Sequence, residues 1–283
     1  MPIDVAKVVG AELPRTTASW DRDDVILYHL GLGAGVPPTD PGELEYCYEG
    51  RLKVLPTFGV LPVFSTLTGL VGLDGMDFNP VMLLHGEQEI TVHKPLPVRA
   101  TVTNTGRVEH VYDKGKGATV VVVAETRDER GEPLCTNRFV AFIRGEGGFG
   151  GDPGPAPANE PPDRDPDLVA ESPTLPQQAL IYRLSGDKNP LHVDPDMARL
   201  GGFDTPILHG LCSYGIVAKA VVDHALDGDV TRVAGFAARF GGVAYPGETL
   251  VTKMWRTDRG IVVHTDCKER GTKVVTNALM TVR

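Results

Sequence analysis

Two stretches of the chain, Thr57–Val71 and Leu211–Leu226, are apolar on more than one helical face, a pattern that predicts buried helices rather than surface ones. Each is followed by shorter runs rich in Val and Thr. After the first come 88–93, 98–104, 118–126 and 134–143. After the second come 233–240, 249–256, 261–269 and 273–282. Asp113-Lys-Gly, Asp128-Glu-Arg-Gly and Asp258-Arg-Gly punctuate these runs as turns, so the runs are predicted as strands. A long helix followed by antiparallel strands implies a sheet wrapped around that helix, an α+β arrangement that occurs twice.

Between the two sets, Gly145 to Pro176 is rich in Gly, Pro and Asp and too poor in apolar residues to bury a core. It predicts an N-terminal half (1–144), a linker (145–172) and a C-terminal half (173–283). The halves share spacing. Glu129-Arg-Gly-x4-Thr-Asn137 recurs as Glu269-Arg-Gly-x4-Thr-Asn277, and Pro97-x4-Val-Thr103 as Pro246-x4-Val-Thr252. Ile26-Leu-Tyr-His-Leu30 mirrors Leu180-Ile-Tyr-Arg-Leu184. Several matches in one order point to duplication of a structural unit.

Composition narrows the function. A net charge of −9 over 283 residues, with a pI near 5.4, excludes a broadly basic nucleic-acid surface. An acidic chain can still hold a phosphorylated ligand through local cations such as Arg239 or Lys253. Cys47, Cys135, Cys212 and Cys267 are scattered and form no CxxC, which fits reduced thiols rather than a zinc site or disulfides. No apolar run has membrane length and no signal peptide is visible. The end, Met280-Thr-Val-Arg283, is not a Ser-Lys-Leu address. A cytoplasmic protein is expected.

The chemistry concentrates in Tyr182–Asp194, Tyr-Arg-Leu-Ser-Gly-Asp-Lys-Asn-Pro-Leu-His-Val-Asp. Gly186 and Pro190 break any helix, so Asp187 and His192 can converge from an irregular backbone. A carboxylate and an imidazole sharing a water suit its addition to, or removal from, a double bond. Asn189 can orient that water but is no base. A helix-start amide is the expected oxyanion donor, and His209-Gly210 opens the second apolar helix. Gly210 also permits close approach of a ligand. Tyr182 reads as a packing residue, since its copy Tyr28 lies in the half without the pair. His209 reads as either a site-lining residue or a cap, Arg239 as either a ligand-facing residue or a solvated strand end. His85 and Glu49 are weaker candidates to reach the site. Asp194-Pro195 caps a short helix. His192 with Asp194 lacks a suitably spaced third ligand, so no metal is expected.

The run Tyr182–Pro195 resembles the hydratase-2 motif of the (R)-specific 2-enoyl-CoA hydratases, in the MaoC-like dehydratase family of hot-dog proteins. So do Leu27–Gly35, Val54–Pro62, Leu84–Pro97 and Tyr245–Leu250, which together span nearly the whole chain. The resemblance implies a double hot dog, two antiparallel sheets each wrapped around a long central helix. It implies reversible hydration of trans-2-enoyl-CoA to (R)-3-hydroxyacyl-CoA in fatty-acyl or steroid side-chain metabolism. Asp187, His192 and Asn189 are then the catalytic residues. Gly210 is the oxyanion donor, and His209, Tyr182 and Arg239 lie on the substrate side. No cofactor is implied beyond the CoA of the substrate. Aligning Tyr28 with Tyr182 sets Gly33 opposite Asp187 and Pro38 opposite His192, so the first half lacks the catalytic pair and is expected to line the cavity, with room for bulky acyl groups. The competing readings are a hot-dog thioesterase and a non-catalytic acyl-CoA-binding subunit. Exposed sheet edges allow a homodimer.

Overall fold

In the computed structural model, which describes residues 3–283, the two predicted sheets are one. The first half contributes β1 (Glu12–Trp20), β2 (Leu83–Val92), β3 (Ala100–Asp113), β4 (Gly117–Asp128) and β5 (Pro133–Arg144). The second contributes β6 (Leu168–Pro173), β7 (Val233–Phe240), β8 (Thr249–Thr257), β9 (Gly260–Cys267) and β10 (Lys273–Val282). The order is β1-β3-β4-β5-β2-β7-β10-β9-β8-β6, a sequence that reads the same from either end if β1 is matched with β6, β3 with β8, and so on. The duplication therefore produces a pseudo-twofold molecule whose axis passes between β2 and β7. Those strands pair antiparallel, Glu87 opposite Arg239 and Ile90 opposite Phe236, so each half covers the other's open edge.

The helices are α1 (Val5–Val8), α2 (Arg22–Gly31), α3 (Pro41–Cys47), α4 (Phe64–Leu67), α5 (Gln178–Tyr182), α6 (Pro195–Leu200) and α7 (Gly210–Ala225). As its pattern predicts, α7 is buried nearly all round, with twelve of its sixteen residues in the core. Gly215 lets α2 cross closely: a Cβ there would meet Leu32 Cδ2 at 2.6 Å and Tyr28 Oη at 2.8 Å. Lys219 and Asp223 on α7 are paired. Lys219 Nζ lies 2.6 Å from Glu43 and 2.8 Å from Asp223, and Tyr46 Oη donates to Asp223 at 2.7 Å.

The matching helix expected at Thr57–Val71 does not form. The segment breaks into a 3₁₀ turn (Pro56–Val60), the single turn α4 and a second 3₁₀ turn (Thr68–Leu70). Pro62 has no N–H for an i−4 bond, and its ring is incompatible with the interior of a straight helix. Leu61 N instead closes a tighter bond to Phe58 O at 3.0 Å.

Two strands went unpredicted. β1 carries Pro14 and mostly exposed polar residues, as an outermost strand can, and its register shifts between Leu13 and Thr16. β6 falls within the stretch expected to be linker, which therefore ends in a strand paired with β8. The start of that stretch is also fixed, because the Asp113 carboxylate accepts from Gly115, Gly148 and Gly150 N–H at 2.7–2.8 Å.

Candidate active site

The Tyr182–Asp194 run folds as its breakers dictate. α5 and the 3₁₀ turn Arg183–Ser185 end at Gly186, whose φ of 140° only glycine adopts readily. Asp187 follows, and its Oδ1 accepts from Asn189 N–H at 3.0 Å. Asn189 Oδ1 then caps the turn Pro190–His192 through Leu191 N–H at 3.0 Å. Asp194 caps α6 by accepting from Asp196 N–H at 2.8 Å, as its sequence context predicts.

His192 Nδ1 lies 2.9 Å from Ile207 O. A carbonyl only accepts, so Nδ1 carries the proton and Nε2 keeps its lone pair. Burial lowers the His192 pKa, against the raising effects of the Ile207 carbonyl and Asp187, so the ring is neutral and Nε2 is available as a base. His209 stacks on it, with centroids 3.8 Å apart and planes 28° apart. His209 Nε2 donates to Asp187 O at 3.2 Å. Burial, then the neighbouring His192, pushes His209 down to about 3.

His192 and its loop border a cavity of about 1160 Å³. Asp187, Asn189, His192 and Gly210 line it, as predicted. Gly210 opens α7, where the first amides have no intrahelical carbonyl. His209 and Tyr182 stand behind the lining. His209 begins the helix without a side-chain cap bond and acts through its stacking and its bond to Asp187 O. Tyr182 is buried against His209 and Tyr28, and burial raises its hydroxyl well above the usual tyrosine range, which makes it a poorer proton donor than a free phenol. Arg239 stands outside the cavity lining: on β7 it faces solvent, opposite Glu87, whereas the next residue, Phe240, faces the cavity. Glu49 lies in a separate surface groove with Arg22 and Arg51.

His85 does reach the cavity. A bulge between His85 and Glu87 turns it onto the same face as Gln88, and its ring packs 4.1 Å from Phe139 and 4.9 Å from Phe240. The spacing of β2 alone would have placed it on the other face. Trp20, Phe58, Phe64 and Leu70 extend the lining through the first half. The first-half frame that aligns with the catalytic loop serves packing: Gly31 lies against Tyr182, where a Cβ would meet its Cα at 3.2 Å.

Asp187, His192 and His209 place donor atoms within 4.8 Å of one another. The third group that sequence spacing concealed is therefore His209, while Asp194 is committed to its cap. The two imidazoles lie face to face, so their in-plane lone pairs run side by side instead of converging, and each ring already commits one nitrogen to a backbone carbonyl. This arrangement suits proton transfer better than ligation.

A duplicated hot-dog fold, with a carboxylate and a neutral imidazole at the head of an apolar cavity, defines an acid–base protein of the MaoC-like class. Residues 19–145 match the MFE-2 hydratase 2 N-terminal domain and residues 157–278 the MaoC like domain. An enoyl-CoA hydratase of Mycobacterium tuberculosis, ChsH3, is 45% identical over 277 residues, covering 97% of each chain. The peroxisomal enoyl-CoA hydratase 2 of Arabidopsis thaliana is 40% identical over 95% of this chain and 92% of its own. A MaoC-like dehydratase from Phytophthora capsici superposes with a TM-score of 0.89 at 33% identity, covering 99% of this chain and 98% of that one. The chain belongs to the MaoC-like hydratase 2 family.

Proposed function

We propose that this protein reversibly hydrates trans-2-enoyl-CoA thioesters to (R)-3-hydroxyacyl-CoA, in fatty-acyl or steroid side-chain metabolism. The observation that carries the reading is the placement of the Asp187 carboxylate and the unprotonated His192 Nε2 at one end of a large apolar cavity, beside the free amides that begin α7. Water held between the two groups gives its oxygen to C3 and a proton to one of them. A proton passes to C2, and the charge that develops on the thioester oxygen meets the Gly210 N–H and the positive end of α7. Asn189 fixes the loop and faces the water. Both groups face the same water, and either can take its first proton. The half reactions balance without a cofactor beyond the substrate's own CoA.

The cavity of about 1160 Å³ exceeds what a short acyl chain fills, which supports long or bulky acyl groups. A cytoplasmic location and a homodimer complete the reading. They rest on four free cysteines and on the outer edges of β1 and β6, and no helix among the described residues is long and apolar enough to cross a membrane.

The test follows the ultraviolet absorbance of enoyl-CoAs of graded length, with free thiol measured in parallel. A fall in absorbance without thiol, giving the (R) product on a chiral column, is expected. Release of thiol would make the protein a thioesterase, and silence at every length, with acyl-CoA bound, would make it a binding subunit.

A further inference from the structure

The broken segment 56–70 faces the cavity on one side and the sheet on the other. Phe58, Leu61, Phe64 and Leu67 line the cavity. On the sheet side, polar side chains from three strands, two buried and one half-buried, grip the segment. Asn137 on β5 donates Nδ2–H to Gly59 O at 3.0 Å. Asn104 on β3 donates to Pro62 O at 2.8 Å. Thr16 on β1 bonds the Thr66 hydroxyl at 2.6 Å. Both amides are themselves fixed, Asn137 by accepting from Gln88 Nε2 at 3.0 Å and Asn104 by accepting from the Thr126 hydroxyl at 2.8 Å. Gly59 allows the approach, since a Cβ there would meet Ile90 Cδ1 at 2.7 Å and Cys135 Sγ at 3.0 Å.

The second half shows what the matching strands, β8, β9 and β10, carry when a continuous helix is present. Beneath α7 the buried Thr252 and Thr265 bond each other at 3.2 Å. Asn277, the repeat's copy of Asn137, adopts a φ of 50° and turns away to hold Ala158 O at 2.8 Å. A helix satisfies its own carbonyls, and a broken one presents carbonyls that need donors. The amide that is spent at a bulge in one half is aimed at the broken segment in the other.

We propose that Asn137, Asn104 and Thr16 are specificity-determining residues: by pinning the segment 56–70 flat against the sheet, they keep the far part of the cavity clear for the acyl group. They touch neither Asp187 nor His192, so they set which acyl groups fit and leave the chemistry alone. This rests on the hydratase reading.

The experiment compares kcat/KM for trans-2-butenoyl-CoA and trans-2-hexadecenoyl-CoA in the full-length protein and in Asn137→Leu, Asn104→Leu and Thr16→Val. Loss of one amide bond to a buried carbonyl is expected to lower the long-to-short ratio about tenfold, with butenoyl hydration within about twofold of the parent. Thr16→Val, nearly isosteric and least disruptive to folding, should shift the ratio the same way by less. A ratio unchanged in the folded variants, or an equal fall for both substrates, overturns the proposal. Should the parent hydrate neither substrate, the hydratase reading has failed instead. The proposal is then decided by calorimetric binding of hexadecanoyl-CoA against butanoyl-CoA, where the same selective loss is expected and an unchanged ratio again refutes it.

Discussion

At the scale of single residues, protonation is set by backbone contacts. Ile207 O fixes the His192 tautomer, and Asp187 O is in turn held by the stacked His209. His209 is therefore a positioning residue. His209→Phe keeps a ring against His192 but loses the bond to Asp187 O, so kcat should fall about tenfold with KM nearly unchanged in steady-state assays. An unchanged kcat would leave His209 a packing residue only. Asp187, Asn189 and His192 are legible in the sequence because a single loop carries them between two breakers. His209 is legible as a helix opener that lines the site or caps it, but its stacking is not, since its neighbours in space are 17 to 27 residues distant along the chain. Arg239 reads both ways in the sequence because one strand position separates solvent from cavity, and β7 alone does not say which of Arg239 and Phe240 faces in. His85 is hidden by the bulge that re-aims it.

At the scale of elements, α7 and the half-buried strands are legible because their periodicity is strong, and β7 and β10 span the residues their patterns mark. The failures share a cause: structure imposed by a neighbour rather than by local pattern. β1 and β6 are short of apolar residues because each is paired on one side only. The apolar content of 57–71 outweighs Pro62 in a reading of periodicity, yet Pro62 decides the backbone. The contact of α7 with α2 gives a direct check. Gly215→Val, with a side chain where Leu32 and Tyr28 already stand, should destabilise the protein by about 1–3 kcal/mol in urea unfolding. Normal stability would mean the two helices are not in register here.

At the scale of the whole molecule, the halves are joined by the β2–β7 seam and by the cluster of Lys219, Glu43, Asp223 and Tyr46. One tryptophan lies in each half, Trp20 and Trp255. Single-tryptophan proteins made by Trp20→Phe and Trp255→Phe should unfold in urea at coincident midpoints, and separated midpoints would mean independent halves. Acid should weaken the fold through buried neutral histidines. His29 donates from Nδ1 to Tyr46 O at 2.7 Å and accepts from Leu55 N–H at 3.2 Å, which requires the neutral ring. Burial, with Lys219 and Lys53 adding to it against the Tyr46 carbonyl, pushes it from 6.5 down to about 4. The unfolded chain binds the proton first, so this contribution, on the order of 3 kcal/mol, is complete above pH 6.5 and is lost as pH falls from there toward 4. Urea midpoints measured across that window should fall in the parent and fall less in His29→Gln. A flat profile would contradict the burial of His29.

In the proposed reaction Asp187 and His192 together activate one water for addition to an enoyl thioester. Hydration of trans-2-hexadecenoyl-CoA, read by loss of enoyl absorbance, by Asp187→Asn, His192→Gln and the double variant tests it most directly. Each single change is expected to cost about 10²–10⁴-fold in kcat, with circular dichroism unchanged. The double variant should be little worse than either, because groups sharing one water fail together. Near-parent activity in either folded single variant would rule out a water activated by the pair.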